Sequence, residues 1–212
     1  MHKYMTLFLG VAFLAGCCFA NDSTLFPKTS YKTAVGTEYV SAALIEKTWR
    51  TDPKADGTWP MPKPVDTSMY KDATDGVKGV VTASTPGSNK KEEVGCLFDN
   101  DQNTKYCTPN ATPWVQYQFP AGVKPSIVAY AFRTANDAAE RDPKEWVLQG
   151  SDDGKEWKDI DAQKGIEFLS RFEIQLFKLK AAVSYQYYRL VVKANHGGEH
   201  FQLSEIELFV NK

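Results

Sequence analysis

The chain is poor in cysteine and histidine, with four of the first and three of the second in 212 residues. Two of the cysteines, Cys17 and Cys18, fall in the first twenty residues, which leaves Cys96 and Cys107 for the remainder. That scarcity excludes a disulfide-dense scaffold. An excess of one charge is also missing. Lys and Arg number 25 against 26 Asp and Glu, for a net charge of −1. No basic run marks a nucleic-acid or anionic-membrane surface. Beyond the N-terminus no stretch is apolar for long enough to span a bilayer. No long amphipathic helical pattern separates the β-rich runs, which disfavours a parallel βαβ sheet. Among catalytic spellings there is no Gly-x-Ser-x-Gly, no P-loop and no Cys–His nucleophile pattern, so no enzymatic activity is expected.

What is present begins with a leader. Lys3 precedes the apolar run "YMTLFLGVAFLAG", which reads as a signal peptide over residues 1–20. Leu14-Ala15-Gly16-Cys17 has the form of a bacterial lipobox, in which Cys17 would be acylated. Cys18-Phe19-Ala20 equally fits ordinary cleavage before Asn21. The expectation is export, as a cell-surface or periplasmic lipoprotein or as a secreted protein, with membrane contact only through a lipid anchor. Residues 21–75 read as a tether. "RTDPKADGTWPMPKPVDTS" carries Pro53, Pro60, Pro62 and Pro64, which exclude a regular helix or central strand. Before it, "TEYVSAALIEKTWR" predicts a short helix.

From about residue 76 the texture changes. "VKGVVTAS", "WVQYQF", "SIVAYAFRT", "EWVLQGS", "FEIQLFKL", "YQYYRLVVK" and "LSEIELFV" are seven strand-like runs, several alternating apolar and polar residues. Gly, Asn, Asp and Pro fill the gaps. With 42% hydrophobic and 13% aromatic residues, residues 76–212 can form one all-β domain, an antiparallel sandwich. In "WVLQGSDDGKEW", Ser151-Asp152-Asp153-Gly154 predicts a tight hairpin turn. Trp146 and Trp157 are expected to pack on its core side.

Two other features bear on chemistry. Asp99, Asp101 and Asn103 give hard oxygen donors at alternate positions, a pattern that suits calcium but also an ordinary polar turn. The EF-hand glycine and twelfth-position glutamate are replaced by Thr104 and Asn110. "HGGEH" (His196 to His200) spells a zinc-peptidase pattern, but Gly197-Gly198 argues against the helix that chemistry needs. In an exported protein, Cys96 and Cys107 are expected to be bridged; two buried thiols are the alternative.

Several ordered segments carry a family likeness. "FDNDQNTKYCT" (Phe98 to Thr108), "PWVQYQF" (Pro113 to Phe119), "RDPKEWVLQGSDDGKEW" (Arg141 to Trp157), "YYRLVV" and "QLSEIELF" together resemble the factor V/VIII type C, or discoidin, family. The likeness is greatest to its bacterial forms classed as family 32 carbohydrate-binding modules. It covers residues 76–212 and implies an eight-stranded jelly-roll β-sandwich with one structural calcium ion. The implied calcium ligands are the carbonyls of Cys96, Asp101, Thr104 and Ser204, the Thr104 hydroxyl, and the Asp99 and Glu205 carboxylates. The resemblance further implies a carbohydrate ligand bound by loops at one end of the sandwich. Arg133, Asn136, Asn195 and His196 are the candidate hydrogen-bonding groups, and Phe201 a candidate aromatic platform. The expected protein is a monomeric, non-catalytic sugar-binding module. An adhesion domain binding protein or lipid is the alternative.

Overall fold

The computed structural model describes residues 65–212. The signal peptide with Cys17, the short helix, and the tether before Val65 lie outside the described residues. Eleven strands follow: β1 (Tyr70–Asp72), β2 (Val80–Ala83), β3 (Tyr106–Thr108), β4 (Trp114–Gln118), β5 (Ser126–Arg133), β6 (Pro143–Ser151), β7 (Lys158–Gln163), β8 (Ile174–Ser184), β9 (Tyr187–Asn195), β10 (Phe201–Leu203) and β11 (Glu205–Asn211). Two short 3-10 turns, Val94–Phe98 and Ala139–Arg141, are the helical pieces among the described residues.

All pairings are antiparallel. One sheet has the order β1-β11-β5-β8, the other β2-β4-β9-β6-β7, and β10-β3 forms a separate ribbon. This is the expected jelly-roll sandwich. The two large sheets bury alternate residues against each other because every strand puts successive side chains on opposite faces. On β9, Tyr188, Leu190 and Val192 point inward, as the alternation predicts. On β11, Ile206 and Leu208 join the same core. The centre is aromatic. Trp146 packs edge-on against Phe177 with ring centroids 5.1 Å apart and tilted against Phe132 at 4.9 Å. Its Nε1–H donates to the Tyr130 hydroxyl at 2.9 Å, which in turn donates to Asp161 at 2.7 Å. The buried indole thus loses no hydrogen bond.

Three expectations change. β1 lies inside the stretch assigned to the tether and pairs with β11, so the sandwich includes Tyr70–Asp72. Only one of the two tryptophans reaches the core. Trp146 is buried, but the turn after Ser151 runs on to Trp157, and β7 begins one residue later. The Trp157 indole lies outside, with the Arg189 guanidinium carbon 3.9 Å from its ring centroid. Cys96 and Cys107 are free. The Cys96 thiol, in the middle of the first 3-10 turn, donates to the Lys91 carbonyl at 3.6 Å. Cys107 sits in β3, where its sulfur accepts from Ser88 and Arg141 at 3.9 and 3.8 Å.

Candidate functional site

β5 and β9 both end at the same end of the sandwich, because β6 starts there and runs antiparallel to β9. The loops that follow them therefore meet: Gly198 N–H donates to the Glu140 carbonyl at 3.0 Å. The β7–β8 and β10–β11 connections and the long segment between β2 and β4 arrive at this end as well.

Two polar regions result. The first is a cleft of about 230 Å³ lined by Asn100, Asp101, Gln102, Asn103, Arg133, Glu205 and Glu207. Its loop is folded by short-range side-chain bonds. Asp99 accepts the Asp101 N–H at 2.9 Å and the Thr104 hydroxyl at 2.9 Å, while Asp101 accepts the Asn103 N–H at 2.9 Å. Ser204 ties it to the β10–β11 junction by donating to the Gln102 and Thr104 carbonyls at 2.7 and 2.9 Å. Below the loop, acids crowd together. Glu205 is 4% exposed and its Oε1 lacks a hydrogen-bond partner among the described residues. Burial, then the negative charges of Asp99 and Glu207, push its carboxyl up to about 9. Burial and then Asp72 raise Glu207 to about 7, and burial raises Asp72 to about 6. Arg133, opposite Glu205 in the β5–β11 ladder, opposes the rise at both glutamates. A buried carboxyl with an orphaned oxygen beside further carboxyls calls for a proton or a cation. Among the described residues no group of three or more His, Cys, Asp or Glu forms a metal cluster. The donors here are two facing carboxylates, Asp99 and Glu205, together with main-chain carbonyls. All are hard oxygens, the type that alkaline-earth cations take.

The second region is the outer rim of the loops. Asn136 and Glu140 are exposed. Lys105 Nζ donates to Asp137 at 2.8 Å and to Gln202 at 3.3 Å, and lies 3.8 Å from Glu92. Lys105 and the other bonds offset the effect of burial, and Asp137 is held below its usual carboxylate range. Beneath the rim Arg171 clamps the 134–142 loop through a buried ion pair with Asp142 and a bond to the Asp137 carbonyl. Next to it Phe172 is partly exposed with φ +57°, a left-handed conformation that is strained for an aromatic residue. Its neighbours hold it there: Glu173 accepts the Leu169 and Ser170 N–H groups, and the Glu173 carbonyl accepts the Thr134 N–H at 3.0 Å.

Of the residues proposed from sequence for the ligand, Asn136 is exposed on this rim. The others have internal places. Arg133 is 2% exposed and reaches Gln102 in the acidic cleft. Asn195 folds its own loop, donating to the Gly198 and His200 carbonyls and accepting the Gly197 N–H. His196 is tucked against the Ile166 carbonyl at 3.0 Å and lies 3.5 Å from Glu167. Phe201 is fully buried in the core, so it cannot serve as a sugar platform. The "HGGEH" segment is a bend between β9 and β10, not a helix, with His196 turned into the β7–β8 loop. Lys105, Asp137 and Phe172 are the rim residues that the ligand assignment from sequence left out. Phe172 carried no sequence signal, since only its φ distinguishes it.

The sandwich and its loop-end site define a carbohydrate-binding-module fold. Among solved structures the chain is similar to CpGH89CBM32-5 from Clostridium perfringens in complex with GalNAc-beta-1,3-galactose, with TM-score 0.54, 16% identity, and coverage of 62% of this chain and 95% of that one. It is similar to the family 32 module of Clostridium perfringens NanJ in complex with galactose, with TM-score 0.53, 9% identity, and 62% and 93% coverage. The family 32 module of Streptococcus pneumoniae EndoD gives TM-score 0.54, 14% identity, and 64% and 97% coverage. A curated relative is the peptide-N(4)-(N-acetyl-beta-glucosaminyl)asparagine amidase of Arabidopsis thaliana, 33% identical over 119 residues. The match takes in 53% of this chain but spans only 16% of that relative. The F5/8 type C domain model matches residues 80–206, and the chain belongs to that family.

Proposed function

We propose that the protein is an exported, non-catalytic carbohydrate-binding module that holds a sugar on the loop rim. The observation that carries this reading is Phe172. A strained, partly exposed ring stands beside a loop with exposed Asn136 and Asp137. The ring offers an apolar face for sugar C–H groups, while Asn136, Asp137 and Lys105 offer acceptors and donors for hydroxyls. The ligands held by two related modules, galactose and GalNAc-beta-1,3-galactose, are compatible with such a rim. Adhesion through apolar loop tips has less support. The exposed large hydrophobics among the described residues are Met69, Val80 and Val123, and none of them is on the rim.

Calcium belongs to the same proposal. The Asp99 and Glu205 carboxylates would hold it, with the carbonyls of Cys96, Asp101, Thr104 and Ser204 and the Thr104 hydroxyl completing the shell. The orphaned Glu205 oxygen supports the fit. Bound there, the ion would add to the positive charge of Arg133 among the crowded acids and fix the loop beside the rim. The experiment is Phe172→Gly. Glycine accepts a positive φ without strain, so the melting temperature should hold or rise while sugar affinity falls at least tenfold. Unchanged affinity would reject the rim.

A further inference from the structure

The face of the five-stranded sheet that points away from the core carries an arrangement the rim does not use. Three aromatic side chains sit on it, each partly exposed: Trp114 from β4, Tyr187 from β9 and Trp157 from the turn before β7. Between them runs a polar row. Register places Thr82, Gln116, Arg189, Gln149 and Asp159 side by side across all five strands. Arg189 donates twice to the Gln149 side-chain oxygen, at 3.0 and 2.7 Å, and Gln149 donates to Asp159 at 2.7 Å. Trp157 covers the guanidinium. These planar groups are therefore held flat on the sheet. Gln116 and Gln118 have no side-chain hydrogen-bond partner among the described residues, so their amides are unspent. The next row is apolar: Trp114, Val191, Val147 and Ala162. On the other side lie Tyr187, Gln118 and Val80, the last 55% exposed.

Tryptophan on the solvent side of a sheet leaves a large apolar surface in water, and such surfaces mark binding sites when polar groups frame them. The rows alternate apolar and hydrogen-bonding character. A pyranose ring presents both kinds of surface at once, C–H groups on its face and hydroxyls at its edge. Trp114 is opposite Val191, four residues from Tyr187 along β9, which separates the two anchors by about 13 Å at strand rise. That is longer than one sugar ring. The one guanidinium in the row is matched by Asp159 at its end, so the row carries no excess charge for an acidic polymer.

We propose that this face is a second glycan-binding surface, for the interior of an extended neutral polysaccharide. It rests on the carbohydrate-binding reading above but is separate from the rim. The rim takes a short sugar, and the sheet face adds reach along the same kind of chain.

Affinity electrophoresis of the full chain tests it, in gels containing β-1,4-galactan, galactomannan or hydroxyethylcellulose, beside calorimetry with galactose. Wild type should be retarded by at least one polymer. Trp114→Ala and Tyr187→Ala should each weaken that retardation at least fivefold, leave galactose binding unchanged and retain the melting temperature. Trp114→Phe should recover most of the retardation, which separates loss of an aromatic face from misfolding. The rim variant Asp137→Ala should lose galactose binding but keep part of the retardation. Retardation unchanged in both sheet-face variants overturns the proposal. So does galactose binding by wild type with no retardation in any of the three gels, which leaves the rim reading intact. No binding to any sugar overturns both. A concentration-dependent dimer that Trp114→Ala dissociates overturns the proposal in favour of self-association.

Discussion

Glu205→Gln is the perturbation whose outcome is least expected without the structure. In the metal-free protein Glu205 is raised to about 9, Glu207 to about 7 and Asp72 to about 6. Each folded value lies above the unfolded one, so the folded state binds more protons across the window between them. The stability these three groups contribute is then fully present below about pH 4 and is lost as pH rises toward about 9. One pKa unit corresponds to about 1.4 kcal/mol, which puts the loss from Glu205 on the order of several kcal/mol. In chelator, the wild-type melting temperature should therefore fall from about pH 5 to about pH 8. Calcium at roughly a hundred times its Kd adds about 2.7 kcal/mol, or about 5–11 °C for a fold of this size. Replacing the acid with its neutral isostere removes the repulsion with Asp99 and Glu207. Glu205→Gln in chelator at about pH 8 should melt above wild type, and calcium should no longer raise it. Differential scanning fluorimetry across pH, with and without calcium, reads both effects. A wild-type melting temperature that ignores both pH and chelator would refute the reasoning. So would a glutamine variant that is less stable in chelator.

Other predictions follow from burial. Phe201→Ala should cost about 3–5 kcal/mol in urea unfolding, since its ring is fully enclosed; a loss under 1 kcal/mol would return it to the surface. Asp142→Asn should cost about 3–5 kcal/mol by leaving the Arg171 guanidinium buried without its carboxylate. A wild-type unfolding curve would contradict that pairing. Mass spectrometry after alkylation of unreduced protein should find both Cys96 and Cys107 modified, with Cys96 reacting faster under native conditions because Cys107 is buried. A species lighter by two hydrogens that resists alkylation would restore the bridge.

The strands were legible because alternation fixes which side chains share a face, and Tyr188, Leu190 and Val192 lie where that rule puts them. Short strands escaped it. Tyr70–Asp72, Tyr106–Thr108 and Phe201–Leu203 have three residues each, too few to show a period. Trp157 lies outside because the turn runs up to it and inward-facing Gly150 pairs with Lys158, one residue further on. The meeting of the β5 and β9 loops depends on strand direction, which the family resemblance supplied and residue spacing could not. The site residues were harder still. Polar side chains in loops look alike in sequence whether they meet water or brace the fold. Arg133, Asn195 and His196 are all of the second kind. Phe172 would have been recognised only from its backbone angle.

The central claim is that the loop rim binds sugar. Titration calorimetry, in buffer containing calcium, with galactose and GalNAc-beta-1,3-galactose tests it most directly, with Asp137→Asn as comparison. The account predicts saturable binding to wild type with a Kd roughly in the micromolar to millimolar range, because a shallow rim covers few ligand atoms. It predicts at least tenfold weaker binding to the variant at an unchanged melting temperature. No heat of binding from folded wild type in the presence of calcium, or equal affinity in the variant, would contradict it.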